Sequence, residues 1–260
     1  MILRHLDLFS GIGGFALAAR MAGGYDTVAF CELDRYCRKV LGWNFPGVPV
    51  HPDIKTFDPK PYEGNIDIIT GGYPCQPFSV TGRRAGGKDP RHLWPYMLRI
   101  VRDIRPPWVL CENVVGHITL GLDEVLTALA TEGYSAMPFV IPACAVDSPQ
   151  RRDRVWVVAH STSLVLENIS DSPMVEGPRE AQVGSSDVRY HLCGGEGWPP
   201  EPGVDRMAYG IPHRVDRTKG LGNAIVPQVA ARILRAIYTT TLHSTTICKR
   251  KYNQLKSSGQ

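Results

Sequence analysis

Short apolar runs alternate along the chain with stretches in which apolar residues recur every three or four positions. The runs Leu3–Phe9, Asp26–Cys31, Asn65–Thr70 and Trp108–Cys111 have the length and composition of buried strands. The intervening stretches predict helices, which cover residues 15–21, 34–44, 93–105 and 122–129. Strands that alternate with helices in this way indicate an α/β fold with a mostly parallel sheet.

The second half of the sheet is predicted to differ from the first. Tyr134–Ile141 and Arg154–His160 are two further apolar runs, and residues 142–153 between them lack a helical pattern. A connection of this kind suits a hairpin better than a helical crossover. We therefore expect one antiparallel strand at the edge of the sheet.

Beyond residue 160 the pattern of regular elements is lost and then returns. Residues 161–205 are rich in Gly, Pro, Ser and acidic residues, which predicts an inserted small subdomain, with a disordered loop as the alternative. Pro227 then opens a helix with Val229, Ala230, Ile233 and Ile237 on one face. The polar and basic stretch 241–260 is predicted to be a disordered tail.

Composition narrows the class of protein. No apolar run approaches the ~20 residues of a membrane span, so we expect a soluble, cytoplasmic protein without a membrane partner. The seven cysteines form no CxxC pair and no cluster with histidine, so no metal site is predicted. The formal net charge of +4 permits a polyanionic partner without requiring one.

A glycine-rich turn follows the first strand. The sequence from Asp7 to Gly14 reads strand, turn and helix start, and its glycines let the backbone approach a ligand. Glu32 stands at the end of the second predicted strand, where dinucleotide-binding folds accept a ribose hydroxyl, although a solvated turn residue is the alternative. Asp53 follows the next extended segment and is either a third group at this rim or the first residue of an Asx turn. The turn and Glu32 together predict a nucleoside cofactor.

A cysteine lies between two prolines after the strand Asn65–Thr70. Pro74 and Pro77 restrict the backbone around Cys75, at the carboxyl end of a strand where open α/β sheets bind ligands. This position favours a nucleophile, whereas an inert buried thiol is the alternative. Glu112 ends the strand Trp108–Cys111, so its carboxyl group is expected on the same rim as Cys75.

Five segments, in this order along the chain, resemble the motifs of the DNA cytosine-5 methyltransferases. DLFSGIGGF at residues 7–15 is similar to the first cofactor motif, and GGYPCQPFS at residues 71–79 is similar to the nucleophile motif. ENV at 112–114, QRRDR at 150–154 and GNAIVPQVAARI at 222–233 resemble later motifs. The resemblance implies a Rossmann-like fold that binds S-adenosylmethionine and acts on double-stranded DNA.

The resemblance also implies a role for each matching residue. Cys75 would be the nucleophile, with Glu112, Asn113, Arg152 and Arg154 as its catalytic partners at the flipped cytosine. The residues implied for the cofactor are Phe9, Gly11, Gly13, Gly14, Glu32, Asp53, Ile54, Pro74, Leu93, Asn223 and Ala224. The residues implied for DNA are Gln76, Ser79, Arg83, Arg84 and Gln150, of which the two arginines lie in a basic, glycine-rich loop.

The resemblance divides the chain into parts. Residues 1–160 would be the catalytic and cofactor-binding domain, and residues 161–219 a target-recognition segment shorter than that of the larger relatives. Residues 220–240 would return to the catalytic domain, and residues 241–260 would be the tail. This compact form resembles a phage- or prophage-type enzyme, and a cognate restriction endonuclease is left open as a partner.

Three other functions compete with DNA methylation. A transfer RNA cytosine-5 methyltransferase of the same fold would carry a Cys-Phe-Thr signature, which does not occur in residues 161–219. A binding module without activity would not need Cys75 and Glu112. A nicotinamide-dependent oxidoreductase would explain the glycine-rich turn and Glu32, but not GGYPCQPFS.

Overall fold

The computed structural model describes residues 1–74, 93–162 and 214–257. Within these residues seven strands form one sheet in the order β3-β2-β1-β4-β5-β7-β6. The strands are β1 (Leu3–Leu8), β2 (Tyr25–Cys31), β3 (Val50–His51), β4 (Ile68–Gly71), β5 (Trp108–Val114), β6 (Tyr134–Ile141) and β7 (Arg154–Ser161). The helices are α1 (Gly14–Ala22), α2 (Arg35–Asn44), α3 (Trp94–Ile104), α4 (His117–Leu120), α5 (Leu122–Thr131), α6 (Arg214–Asn223) and α7 (Pro227–Ser257).

The pairing of the strands confirms the α/β, mostly parallel prediction. Strands β1 to β5 pair in parallel, and β7 runs antiparallel to both of its neighbours, β5 and β6. The antiparallel pairing therefore lies at one end of the sheet, where residues 142–153 join β6 to β7 as a hairpin. The carboxyl ends of the parallel strands share one rim, which is where ligands bind in such sheets.

Apolar side chains cover both faces of the sheet. Leu6 and Leu8 of β1 face a cluster that includes Met97 and Ile100 of α3 and Leu129 of α5. Ile68 and Leu110 project to the opposite face, where they pack with α1 and α7. Helices on both faces of a parallel sheet produce three layers and leave the rim as the accessible part of the sheet.

Helix boundaries follow local sequence signals. Asp34 caps α2, since its Oδ1 accepts hydrogen bonds from the amides of Tyr36 at 2.8 Å and Cys37 at 3.2 Å. Pro95 occupies the first turn of α3, where a missing N–H costs nothing.

The structure decides one alternative that the sequence leaves open and differs from one further prediction. The third strand is only two residues long, and Asp53 after it forms an Asx turn, with its Oδ1 accepting the Lys55 amide at 2.9 Å. Helix α7 continues to Ser257, through most of the stretch for which the sequence predicts a disordered tail. In the described parts of the chain no helix is both long and apolar enough to span a bilayer.

Candidate active site

The glycine-rich turn after β1 adopts a backbone conformation that favours glycine. Gly11 and Gly13 have φ values of 53° and 90°, in the left-handed region, and Phe9 shares that region at 53°. A side chain at Gly11 would meet no atom within 4 Å, so the turn borders open space. The turn therefore leaves backbone atoms and open space at the rim of the sheet, where a ligand could approach the backbone closely.

Glu32 ties the end of β2 to this turn. Its Oε2 accepts the Gly11 amide and its Oε1 accepts the Asp34 amide, both at 2.7 Å. Each carboxylate oxygen has a second lone pair, so Glu32 retains the capacity to accept ligand hydroxyl groups. Leu33, the next residue, is an apolar side chain that is 68% exposed beside this carboxylate.

The segment 220–226 packs against the same turn. A Cβ at Gly14 would lie 2.7 Å from Cγ1 of Ile225, and a Cβ at Gly220 would lie 3.1 Å from Cγ2 of Ile12. The structure therefore brings Gly13 and Gly14 together with the stretch that carries Asn223 and Ala224. Residues more than 200 positions apart in the sequence form one rim.

The remaining residues implied for the cofactor differ in accessibility. Asp53 is half-buried in its Asx turn, and Pro74 is exposed. Ile54 is buried within the core, and Leu93 packs against the same core at the start of α3. The side chain of Ile54 is thus part of the packing beneath the rim.

Glu112 and Arg154 form a close ion pair on the neighbouring strands β5 and β7. Arg154 Nε lies 3.0 Å from Glu112 Oε1, and Glu112 is only 8% exposed. Burial raises the pKa of Glu112 to about 7, while the cations of Arg154 and Arg152 act to lower it. A carboxyl group balanced in this way can hold a proton near neutral pH.

The pair lies beside the backbone that leads to the predicted nucleophile. A Cβ at Gly72 would lie 3.5 Å from Glu112 Oε2. The buried Asn113 donates its Nδ2–H to the carbonyl of Tyr73 at 3.1 Å. Cys75 itself lies outside the described residues, but the two residues before Pro74 contact Glu112 and Asn113.

Arg152 has a different set of partners. Its Nη2 donates to the carbonyls of Gly222 at 2.8 Å and Ala224 at 2.7 Å, so it fastens the 220–226 segment to the end of the β6–β7 hairpin. Burial, followed by the repulsion of Arg154, lowers the pKa of Arg152. The backbone of Arg152 has a φ of 35°, in the left-handed region, which a residue other than glycine adopts only with conformational strain.

The residues implied for DNA are placed only in part. Gln150 is exposed in the connection before β7, with its amide donating to Ser148 Oγ at 3.3 Å. Gln76, Ser79, Arg83 and Arg84 lie outside the described residues. The described chain holds no cluster of side chains suited to a metal ion.

Sequence reasoning missed two residues at the rim. Lys219 Nζ lies 2.8 Å from Asp34 Oδ2, so α6 is joined to the carboxylate that also caps α2. Leu33 was missed as well, although an apolar residue directly after the acidic one was visible in the sequence. The capping pattern at Asp34 was also visible, but its pairing with Lys219 depends on the folded chain.

The fold is a Rossmann-like α/β fold, and the rim of its sheet carries the glycine-rich turn, the Glu32 carboxylate and the Glu112–Arg154 ion pair. The chain matches the family described as C-5 cytosine-specific DNA methylase over residues 3–187. It therefore belongs to that family, as its motifs predict. Enzymes of this family use S-adenosylmethionine as the methyl donor.

Curated relatives are type II methyltransferases of bacteria. M.HgiCII of Herpetosiphon aurantiacus is 34% identical over 175 residues, covering 64% of this chain and 39% of the relative. M.DdeI of Desulfomicrobium norvegicum is 34% identical over 210 residues, covering 68% and 50%. M.HhaI of Haemophilus parahaemolyticus is 34% identical over 171 residues, covering 64% and 51%. The chain thus spans about half the length of these relatives, or less.

Solved structures agree with the fold. A putative DNA modification methyltransferase encoded within an Escherichia coli prophage has a TM-score of 0.54 at 27% identity, covering 67% of this chain and 52% of that one. The Dnmt2 methyltransferase of S. pombe also has a TM-score of 0.54, at 26% identity, covering 67% and 57%.

Proposed function

We propose that this chain is a DNA cytosine-5 methyltransferase. It would transfer the methyl group of S-adenosylmethionine to C5 of a cytosine flipped out of double-stranded DNA, through a covalent bond between Cys75 and C6. The observation that carries the proposal is the placement of the Glu112–Arg154 pair against Gly72, directly before the Pro74–Cys75 segment.

The rim fits the cofactor of the family. Glu32 would accept the ribose hydroxyls, Gly11 would leave space for the ligand, and the exposed Leu33 would offer an apolar surface to the adenine ring. The 223–224 segment and the turn at Gly13 would line the opposite wall. The cofactor, when bound, supplies an electrophilic methyl group on a positively charged sulfur.

Cys75 would activate a carbon that is otherwise a poor nucleophile. The Cys75 thiolate adds to cytosine C6, and the electron pair of the C5–C6 double bond moves onto C5 and the ring. Only then can C5 attack the methyl group. The thiolate is the reactive form of cysteine, and nearby cations and polar donors favour it.

Glu112 would stabilise the electron-rich ring. In its protonated form it donates a hydrogen bond to cytosine N3 as negative charge builds on the ring. Arg154 holds the Glu112 carboxyl group in place through Oε1. After methyl transfer a base takes the C5 proton, and the C–H electron pair reforms the double bond and expels the thiolate.

The target base must leave the stack before any of these steps. Flipping costs roughly a few kcal/mol, because pairing and stacking are lost. Residues Gln76, Ser79, Arg83, Arg84 and Gln150 would contact the DNA around the vacated position. Residues 161–219 would read a short recognition sequence, with Arg179, Arg189, Tyr190, His191 and Trp198 as the side chains to test.

Expression in a host that lacks cytosine methylation tests the proposal. The full chain is expressed in a cytoplasm without cytosine methylation, and 5-methylcytosine is mapped on both DNA and RNA. We expect DNA methylation at a short site that is lost in Cys75→Ser and retained in Cys144→Ser, since Cys144 is exposed and distant in sequence. No Cys75-dependent mark from a folded protein on either nucleic acid would refute it.

Transfer RNA methylation is the second candidate, because an enzyme of the same fold could apply the same cysteine and carboxyl chemistry to a cytosine in RNA. A mark on RNA alone would select this candidate over DNA. A restriction endonuclease encoded beside the gene would support a role in restriction and modification, as the type II names of the relatives imply for those proteins.

A further inference from the structure

A row of four polar side chains crosses the sheet beneath the glycine-rich turn. His5 Nδ1 lies 2.9 Å from Thr27 Oγ1, and His5 Nε2 lies 2.7 Å from Thr70 Oγ1. Thr70 Oγ1 lies 2.9 Å from Asp7 Oδ1. His5, Thr70 and Asp7 have no exposed surface, whereas Thr27 at the other end of the row is half-buried.

The register of the sheet creates the row. His5 pairs with Thr27 on β2, and Asp7 pairs with Thr70 on β4. Because side chains alternate along a strand, His5 and Asp7 project from the same face of β1. This face carries α1 and α7, whereas Leu6 and Leu8 project to the other side.

The hydrogen bonds of the row run in one direction. Thr70 has a single hydroxyl proton and donates it to Asp7. His5 must therefore donate its Nε2–H to Thr70 and accept at Nδ1 from Thr27. Burial lowers the pKa of His5 to about 3, so the ring is neutral and can hold this tautomer.

Within the described residues, one oxygen of the Asp7 carboxyl group makes no hydrogen bond. Its Oδ2 is buried without a hydrogen-bond partner, and no ion pair involves Asp7 in the described part of the chain. A buried carboxylate without a cation carries a large desolvation cost, which a bound proton removes. Among the described residues, the titratable groups that interact electrostatically with Asp7 are Glu32 and Cys31, and neither supplies positive charge.

The pKa of Asp7 agrees with this geometry. Burial raises it to about 8, the hydrogen bond from Thr70 acts to lower it, the negative charge of Glu32 raises it further, and the backbone amide of Ala16 in the first turn of α1 acts to lower it. Asp7 is also connected to the rim, because Ser10 Oγ donates to the Asp7 carbonyl at 2.7 Å.

We infer that Asp7 carries a proton beneath the glycine-rich turn before a ligand binds, that His5 and Thr70 are the positioning residues which orient its carboxyl group, and that a cationic ligand at the rim releases this proton. The inference rests on the proposed function, because it takes S-adenosylmethionine as the ligand. The net positive charge of this ligand favours the carboxylate, and the proton passes to the buffer. The affinity for S-adenosylmethionine therefore rises with pH until the pH exceeds the pKa of Asp7 in the ligand-free protein. At higher pH the affinity is constant.

The protonation of the ligand-free protein is measured first. Aspartate labelled with ¹³C at Cγ is incorporated, and the Asp7 resonance is assigned as the one absent in Asp7→Asn. We expect a titration midpoint near 8, which moves upward in Thr70→Val and His5→Phe. Thr70→Ser is the matched control, since it keeps the hydroxyl group and should keep the midpoint. A midpoint near the ordinary value of 3.8 would overturn the inference.

Proton release on binding is measured second, by calorimetry at pH 7 in buffers of different ionisation enthalpy. The cationic S-adenosylmethionine is compared with S-adenosylhomocysteine, which lacks the sulfonium charge. A group with a midpoint of 8 is about nine tenths protonated at pH 7, so up to about 0.9 proton is released by the cationic ligand. We expect less release with the neutral ligand and none in Asp7→Asn.

The outcomes separate the two proposals. Equal proton release by both ligands, or undiminished release in Asp7→Asn, would overturn the role of Asp7 and leave methyl transfer intact. Failure of a folded protein to bind either ligand would instead refute the proposed function. If Asp7→Asn does not fold, the comparison of Thr70→Val with Thr70→Ser decides the question, because a purely structural role would not move the titration midpoint.

Discussion

Arg154 Nε lies 3.0 Å from Glu112 Oε1, and the pair joins an antiparallel strand to the carboxyl end of a parallel one. Glu112 and Trp156 are register partners, so Arg154 reaches Glu112 diagonally along the same face. Two opposing effects act on the protonation of the Glu112 carboxyl group. Burial favours the protonated acid, and the guanidinium group favours the carboxylate.

Loss of Arg154 should change both rate and pH dependence. Arg154→Met removes a cation that lowers the pKa of Glu112, so that pKa rises above about 7. Since the protonated acid is the active form in our proposal, the alkaline limb of single-turnover methylation should move to higher pH, while the maximal rate falls by about 100-fold or more. Arg102→Met, on an exposed arginine of α3, should leave the profile unchanged. An unshifted limb would contradict the assignment of that limb to Glu112.

Asn113 is expected to support the nucleophile segment through the backbone. Asn113→Ala removes the hydrogen bond that Asn113 donates to the buried Tyr73 carbonyl, which should lower the free energy of unfolding by about 1 kcal/mol. Chemical denaturation measures this loss. Asn65→Ala removes an exposed amide that donates to the Glu63 carbonyl, and should cost less than about 0.5 kcal/mol. Similar losses of unfolding free energy in the two variants would show that the hydrogen bond to Tyr73 contributes no more than an exposed one.

Asp34 should contribute more to stability as a helix cap than as an ion-pair partner. Asp34→Ala removes the cap of α2 and should cost about 1 kcal/mol. Lys219→Met removes only an exposed ion pair and should cost less than about 1 kcal/mol, reduced further by salt. A larger loss from Lys219→Met would reverse this ranking.

The ion pair also gives Asp34 a pH signature. The hydrogen bond from Lys219 lowers the pKa of Asp34, so its stabilisation is present above the unfolded pKa and is lost as pH falls through the folded one. Asp34→Asn keeps a capping oxygen but loses the charge. Its stability deficit relative to the unmodified protein should therefore begin to shrink as the pH falls below about 4, and should vanish only below the lowered pKa of Asp34 in the folded protein, as thermal melts across pH would report.

Gly14 should tolerate no side chain unless Ile225 is reduced. A Cβ at Gly14 would lie 2.7 Å from Ile225 Cγ1, so Gly14→Ala should cost about 1–3 kcal/mol and weaken cofactor binding. Adding Ile225→Ala should recover part of both losses, because the two sites are in contact. Strictly additive effects in this double-mutant cycle would show that the strain lies elsewhere.

Periodicity was sufficient to predict most elements of the sheet. The runs at residues 3–9, 26–31 and 134–141 became β1, β2 and β6 with boundaries within a residue or so, because continuous apolar runs can be buried only as strands or helices and these are short. Residues 48–54 were less predictable, since only two of them pair and Asp53 turns the chain instead. Whether the polar stretch 241–257 is helical could not be read from its pattern, which has no sustained apolar face.

The sequence by itself determined the layered α/β fold, the glycine-rich turn, the family and the candidate residues, because these depend on local pattern and on motifs in a fixed order. Only the tertiary structure decided which groups meet. It brought Glu112 to Arg154, Arg152 to the carbonyls of residues 222 and 224, and His5 through Thr70 to Asp7. Such contacts depend on strand order and register, which bring distant residues within hydrogen-bonding distance and which no local pattern encodes.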